Sequence, residues 1–208
     1  MELKEPLIVD KQVDKLLEHG MDVSDREFAQ KVLSRMNYYR FTGYALHFRD
    51  ASNKYKEGTS FNSVFRICCF DEEMRHILRK YIEKIEVYYR MQIAYGFAMN
   101  KCISSPYDQH YLEKNFYNKK GYQEVMASLE REKTHFKDSL IVKHHKMKYS
   151  DKMPVWVIVE LLSFSNLSKL YSSMYYSEKE RIATLAGTGR KTLENHLHCM
   201  SVLRNMCA

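Results

Sequence analysis

The segment from Asp71 to Met99 reads DEEMRHILRKYIEKIEVYYRMQIAYGFAM, and its spacing of apolar residues decides the fold. Apolar side chains recur every three or four positions, which places them on one side of an α-helix. This apolar arc consists of Met74, Ile77, Leu78, Tyr81, Ile82, Ile85, Tyr88, Tyr89 and Ile93. The pattern predicts a central helix about 40 Å long, at about 1.5 Å per residue.

Two pairs of opposite charges lie on this predicted helix. Asp71 falls inside the apolar arc, while Arg75 and Glu86 lie at its edge. The pairs Asp71–Arg75 and Glu86–Arg90 are both spaced i, i+4 with the acid first, which is the more favourable order on a helix. They could be surface pairs worth a few tenths of a kcal/mol each. Alternatively, one of the two acids reaches across the bundle to an arginine on another helix.

The overall composition favours helices over strands. Hydrophobic residues make up 45% and charged residues 28%, and only 7 Gly and 3 Pro interrupt the chain. We predict an all-α fold in a single domain over residues 1–208. Further helix starts are predicted where Ser24 precedes Glu27 and where Ser177 precedes Glu180, since both pairs are spaced as capping boxes.

Several classes of protein are not expected from this sequence. It contains no apolar run long enough to span a membrane, and the charged residues Met1–Glu5 are not followed by the apolar core of a signal peptide. The 5 Cys are odd in number and lack a C-x-x-C pair, which indicates reduced thiols in a cytoplasm and no zinc site. No glycine-rich phosphate loop is present, and we expect no cofactor and no metal.

The end of the chain carries an arginine within an apolar stripe. Leu193, Leu197, Met200 and Cys207 recur at helical spacing, and Arg204 falls among them. Arginine is almost never fully buried without a partner. Either a carboxylate meets Arg204 inside the protein, or the stripe opens at this point onto an anion.

Basic residues are concentrated between Tyr111 and Lys152, in a chain whose net charge is +7. The densest segment consists of Lys143, His144, His145, Lys146, Met147 and Lys148. Lysines with aromatic residues between them are typical of surfaces that bind a phosphate backbone and unstacked bases. A solvated basic face would show the same charges. A metal site at His144–His145 is not expected, because adjacent side chains on a helix point apart.

Four further stretches resemble a known family. The last residues, Arg204-Asn205-Met206-Cys207-Ala208, resemble the beginning of an RN-x-x-A-H signature. Tyr38–Tyr44 resembles a YYR-x-x-G-Y block. The aromatic rings of this block could stack on bases or simply pack on the core. The other two are the segment from Phe70 to Arg90 and that from Pro154 to Tyr171. In order and spacing, these stretches are similar to the Abi-like (abortive infection) family of the HEPN superfamily of helical ribonucleases, over about residues 28–208.

The resemblance implies a HEPN-like helical bundle with additional N-terminal helices and a metal-independent endoribonuclease activity on single-stranded RNA. It implies that Arg204 and Asn205 are catalytic and that Asp71, Arg75, Glu86 and Arg90 support them. RNA contacts would come from Arg40, Lys143, His144, His145, Lys146 and Lys148. The 2′-hydroxyl would attack the adjacent phosphate and give a 2′,3′-cyclic phosphate. No DNA or membrane partner is expected.

The signature histidine would follow at position 209, one residue beyond Ala208. We therefore expect residues 1–208 to bind RNA but to cut it poorly. Arg204 and position 209 are five residues apart, about 140° around a regular helix, so the helix must end or kink or a second protomer must complete the site. We predict a homodimer whose last helices face each other. The alternatives are a module that binds a structured small RNA without cutting it and a protein-interaction bundle.

Overall fold

The computed structural model describes residues 5–208 and contains only helices and connecting loops in that range. The α-helices are α1 (Val9–Glu18), α2 (Arg26–Leu33), α3 (Tyr38–Tyr44), α4 (Phe61–Lys101), α5 (Lys119–His135), α6 (Leu140–Tyr149), α7 (Val155–Leu161), α8 (Phe164–Ser173), α9 (Tyr176–Leu185) and α10 (Arg190–Met206). The prediction of an all-α fold with a long central helix is confirmed. Helix α4 has 41 residues and is about 60 Å long, because it begins ten residues before the predicted start.

The chain forms two compact units that divide between His76 and Ile77, within α4. Each unit has its own apolar core. The prediction of a single domain over residues 1–208 stays a prediction. No helix within residues 5–208 has an apolar stretch that is long enough to cross a bilayer.

The N-terminal unit is built around α1, α2, α3 and the first part of α4. Its core includes Leu16, Ala29 and Val64, and the rings of Phe41 and Phe61 stack with centroids 4.4 Å apart. Helix α2 is capped by Asp25, whose carboxylate accepts from the N–H of Phe28. The predicted cap at Ser24 was therefore wrong by one residue, and α9 begins at Tyr176 without the predicted side-chain cap.

The C-terminal unit has α8 at its centre, packed against both α5 and α10. Tyr171 of α8 is fully buried, and its hydroxyl donates to the carbonyl oxygen of Lys179 at 3.0 Å. On α10, Leu193 and Leu197 are fully buried in the same core. This packing fixes the rotation of α10, and so determines where the following Arg204 lies.

The apolar arc of α4 is only partly buried. Ile82 and Ile93 lie in the C-terminal core, as the pattern predicted. Ile77, Tyr81 and Tyr88 from the same arc are exposed in the single chain. The predicted apolar arc therefore extends over two sides of α4. The rest of the C-terminal unit covers only one of these sides.

Candidate functional site

Arg90 is the most enclosed charge of the candidate site. Its Nη1 donates to the carbonyl oxygen of Leu162 at 2.7 Å and to that of Val159. Both carbonyls lie at the end of α7, where the last turn of a helix has no intrahelical donors for its carbonyl oxygens. Nη2 donates to the carboxylate of Glu86, and both side chains are 12% exposed. Arg90 therefore joins α4 to the C-terminal end of α7, and its role is structural.

Glu86 lies between this buried arginine and a second, more accessible one. One carboxylate oxygen, Oε1, accepts from Arg90, and the other, Oε2, is 3.8 Å from Nε of Arg204. The Arg204 side chain is 44% exposed. No other carboxylate of residues 77–208 lies within ion-pair distance of Arg204. Arg204 is thus oriented by one acid on its Nε side and is open to solvent.

Asn205 lies beside Arg204 in the last turn of α10. Its side-chain amide donates to the hydroxyl of Ser165 at 3.4 Å, and the residue is exposed. Cys207 is buried, and its N–H closes the helix by donating to the carbonyl of Leu203 at 3.0 Å. Helix α10 therefore presents Arg204 and Asn205 outside the core, although its apolar spacing had placed Arg204 within the buried stripe.

The match to a family model agrees with this arrangement of motifs. The model for "Abi-like protein" matches residues 31–208, which is most of the chain. The chain belongs to the Abi-like protein family. No curated protein and no solved structure matches it.

The basic surface of this Abi-like chain lies on α6. Lys146 and Lys148 are exposed, and so is His144, while Lys143 pairs with Asp138 at 3.1 Å. His145 is buried, and its Nδ1 is 2.9 Å from the carbonyl oxygen of Ile141. Of the predicted RNA-binding residues on this helix, His145 therefore lies apart from the exposed basic face.

A cavity of about 580 Å³ lies next to this basic surface. Its wall includes the rings of Tyr107, His144, His145, Tyr149 and Trp156. Trp156 is 48% exposed. At the edge of the cavity, Lys152 pairs with Asp108 at 2.5 Å, which holds the pKa of that carboxyl below its usual range. The cavity combines aromatic faces with nearby cations and was not predicted from the sequence.

The remaining predicted residues lie in the N-terminal unit. Nε of Arg75 is 2.9 Å from a carboxylate oxygen of Asp71, and the hydroxyl of Tyr44 donates to the same oxygen at 2.6 Å. That hydrogen bond raises the pKa of Tyr44, because the phenol must keep its proton to donate it. Arg40 lines the same cleft as Arg75. The predicted support of Arg204 by Asp71 and Arg75 stays a prediction.

A stripe of large apolar residues is exposed along α4 within the C-terminal unit. We define this α4 stripe as Ile77, Tyr81, Tyr88, Met91 and Tyr95, which are between 44% and 58% exposed. Their spacing of four, seven, three and four residues is that of the a and d positions of a coiled coil. Exposed apolar patches of this kind, here interrupted only at Lys84 among the heptad positions from Ile77 to Tyr95, are more typical of interfaces than of solvated helices.

Metal ligands are not concentrated at any of these places. Across residues 5–208, no group of three or more His, Cys, Asp or Glu side chains is arranged to hold a metal ion. The cysteines are free, with Cys68, Cys102 and Cys207 buried and Cys69 and Cys199 exposed.

Proposed function

We propose that this chain is the RNA-cleaving toxin of a bacterial abortive-infection system and that it has the HEPN fold. The observation that carries the proposal is the environment of Arg204, which is half exposed and oriented by a single buried carboxylate. A purely structural arginine would be enclosed as Arg90 is, with hydrogen bonds to two carbonyl oxygens and a carboxylate. Membership of the Abi-like family supports the biological role.

The chemistry follows from the groups that RNA cleavage needs. The 2′-hydroxyl attacks the adjacent phosphorus, the 5′-oxygen leaves, and negative charge accumulates on the phosphate oxygens between these events. Arg204 contacts Glu86 through Nε, so both Nη groups can donate to two phosphate oxygens at once. Asn205 would bind and orient the same linkage. The signature histidine at position 209 would transfer the protons.

The α4 stripe supports a homodimer as the active form. Two copies of a helix with apolar a and d positions bury these residues against each other, and Tyr and Met are enriched in such interfaces. Lys84 occupies the heptad position of the α4 stripe that lies between Tyr81 and Tyr88. A single lysine at such a position of a coiled coil specifies how the two helices align along each other. This proposal moves the dimer contact from the last helix to α4.

The RNA would enter through the basic surface of α6. Lys146 and Lys148 contact the phosphate backbone, and an unstacked base inserts into the 580 Å³ cavity beside Trp156. RNA binding by this surface does not depend on Arg204. It therefore also supports the second candidate function, a module that binds RNA without cutting it.

Cleavage of a 5′-labelled single-stranded RNA tests the nuclease proposal. We expect weak cleavage by residues 1–208 and strong cleavage once a histidine is added at position 209. In the extended chain, Arg204→Ala should reduce the rate by about 100-fold or more, as the loss of one transition-state donor does. Arg79→Ala is the matched control, because Arg79 is exposed and pairs only with Glu83 on the same helix. Equal rates for all forms would remove Arg204 from the mechanism.

RNA binding by the same chain separates the two candidate functions. Trp156→Ala should weaken binding of single-stranded RNA by roughly 5-fold to 150-fold, the range for one stacked base, and Trp156→Phe should retain most of it. Tight binding without any cleavage by the extended chain would favour the RNA-binding module. Binding that is insensitive to salt and to Trp156→Ala would contradict both candidates.

The dimer is tested by sedimentation equilibrium across a range of protein concentrations. Tyr81→Glu places a charge in the centre of the α4 stripe and should convert the dimer to a monomer. Tyr175→Glu is a suitable control, since Tyr175 is also partly exposed but lies outside the stripe. A monomer mass at every concentration of the unaltered chain would rule the dimer out.

A further inference from the structure

A cleft in the N-terminal unit brings together three arginines that are not adjacent in the sequence. The cleft has a volume of about 310 Å³, and Arg35, Arg40 and Arg75 all line it. Among the lining residues within 5–208, Glu72 is the only carboxylate. Since guanidinium groups stay protonated at all ordinary pH values, the lining carries three positive charges against one negative charge.

Two of these arginines have no ion-pair partner in the described part of the chain that would explain their position. Within residues 5–208, neither Arg35 nor Arg40 lies within ion-pair distance of a carboxylate, and both are exposed. Like charges that line one cleft repel each other, and an anion in the cleft would offset that repulsion. Since both side chains are exposed, neither Arg35 nor Arg40 joins elements of the fold through a buried contact.

The third arginine is held at the back of the cleft. Its Nε is 2.9 Å from Asp71, which is ion-pair distance, yet the direction of this N–H gives no hydrogen bond, and the nitrogen is buried without another acceptor. Asp71 is itself fixed by the hydroxyl of Tyr44 at 2.6 Å. The Asp71–Tyr44 contact therefore positions Arg75 without using up its donors.

The other wall of the cleft adds no competing charge. Burial raises the pKa of the Cys68 thiol to about 11, so this side chain is neutral near pH 7. Asn37 also lines the cleft, and its side-chain oxygen accepts from the N–H of Tyr39. The amide nitrogen of Asn37 is the part of the side chain that remains to donate to a ligand.

We propose that this cleft binds a phosphate monoester. Planar guanidinium forks donate pairs of hydrogen bonds that match phosphate oxygens, and three of them suit the two negative charges of a monoester better than the single charge of an internal phosphodiester. The monoester is either that of a free nucleotide or the terminal phosphate of an RNA. This site is formed by residues of the N-terminal unit alone and does not depend on the proposed nuclease activity.

A neighbouring cavity has room for the nucleoside that bears the phosphate. This second cavity, of about 580 Å³, shares Arg35, Met36 and Asn37 with the arginine cleft. It is also lined by Tyr38 and Tyr39, and the ring of Tyr39 is 74% exposed. An exposed ring beside a phosphate site is the arrangement that stacks a base.

Calorimetric titration of the full chain at physiological salt tests the proposal without any measurement of cleavage. The probes are AMP, a short RNA with a 5′-phosphate, and the same RNA with a 5′-hydroxyl. We expect the 5′-phosphate to strengthen RNA binding or AMP to bind by itself. The first result identifies an RNA end as the source of the monoester, and the second identifies a free nucleotide. Identical affinities for the two RNAs together with no binding of AMP would overturn the proposal.

Substitutions then locate the site. Arg40→Gln should weaken binding of the phosphorylated probe by roughly tenfold to 100-fold, the range for the loss of a charged hydrogen bond. Arg66→Gln is the matched control, since it removes the same charge from an exposed position on α4 outside the cleft. Circular dichroism checks that both variants fold. An equal loss for Arg40→Gln and Arg66→Gln would show general attraction to a basic protein and would also overturn the proposal.

Discussion

The two i, i+4 ion pairs of α4 look alike in the sequence and differ in the structure. Glu86–Arg90 is enclosed in the C-terminal unit, and Arg90 also donates to two carbonyl oxygens at the end of α7. Asp71–Arg75 lies in the N-terminal unit, where the Asp71 oxygen receives the Tyr44 hydroxyl and Nε of Arg75 makes no hydrogen bond. The first arginine makes three hydrogen bonds within the fold, whereas Nε of the second makes none.

The difference teaches that the spacing of an ion pair does not reveal its role. An enclosed arginine that bonds an acid and two carbonyl oxygens stabilises the fold, and its removal takes a partner from a largely buried acid. An arginine held in place by one acid beside other cations is suited to bind an anion. Arg204 is also held by one acid, since within residues 77–208 its ion-pair partner is Glu86, 3.8 Å from Nε, and its side chain is 44% exposed.

The largest effect is expected for Arg90→Ala. The substitution leaves Glu86 buried without its partner and the carbonyls of Val159 and Leu162 without a donor. We expect the free energy of unfolding to fall by about 3 kcal/mol or more, the typical cost of breaking a buried pair. Urea denaturation measures this loss. Arg79→Ala, in an exposed pair of the same spacing, should cost about 0.5 kcal/mol or less, and equal losses for the two variants would contradict the structural role of Arg90.

The next largest effect is expected from acid, which should lower the stability of the C-terminal unit at a higher pH than that of the N-terminal unit. His110 of the C-terminal unit is fully buried, its ring nitrogens have no partner within residues 5–208, and burial lowers its pKa from 6.5 to about 4. As the pH falls from 6.5 to 4, the imidazole of His110 therefore becomes protonated in the unfolded chain but stays neutral in the folded chain. This group should lower the free energy of unfolding by roughly 3 kcal/mol across that window.

The N-terminal unit should respond at lower pH. Hydrogen bonds from Arg26 lower the pKa of Asp10 and of Asp14 below 3.8, so their contribution to stability is present at pH 4 and is lost only on further acidification. Urea titrations of the unaltered chain and of His110→Leu at pH 7 and pH 4 check the assignment. His110→Leu should lose less stability between the two pH values, and an unchanged pH dependence would show that another group is responsible.

The smallest effect is expected for Arg75→Ala. The Asp71–Arg75 pair is more exposed than Glu86–Arg90, since the side chains of Arg75 and Asp71 are 23% and 39% exposed. A pair of this kind contributes about 1 kcal/mol or less to the free energy of unfolding. The same urea denaturation should therefore show a small loss, while binding of the phosphorylated probe is strongly reduced. A loss as large as that of Arg90→Ala would make Arg75 a structural residue and would remove the contrast between the two pairs.

Much of the fold could be predicted because its signals are local. Helical spacing predicted the long helix, and the acid-first order predicted both ion pairs on α4. The errors were also instructive. Asp25 caps α2 in place of Ser24, and α9 lacks the cap predicted at Ser177, because several polar residues lie near each helix start and only backbone geometry selects among them.

The candidate sites depend on contacts between distant segments, and these have no local signal. Arg35, Arg40 and Arg75 meet in one cleft although 40 residues separate the first from the last. Nothing in the spacing of Tyr107, Tyr149 and Trp156 indicates that the three rings share a cavity. The predicted arc included Ile77, Tyr81 and Tyr88 of the α4 stripe but not Met91 or Tyr95, and the sequence could not show which side of α4 the rest of the C-terminal unit would cover.

By itself, the sequence determined that the chain is helical, that α4 is long and that charged pairs lie along it, because periodicity and i, i+4 spacing act within one helix. The tertiary structure alone decided that Arg90 is enclosed and that Arg75 keeps donors available for a ligand. That outcome depends on what packs opposite each pair: the end of α7 supplies acceptors to Arg90, while Tyr44 binds the acid partner of Arg75 and leaves the arginine available. The environment of each guanidinium, and not its spacing, sets its function.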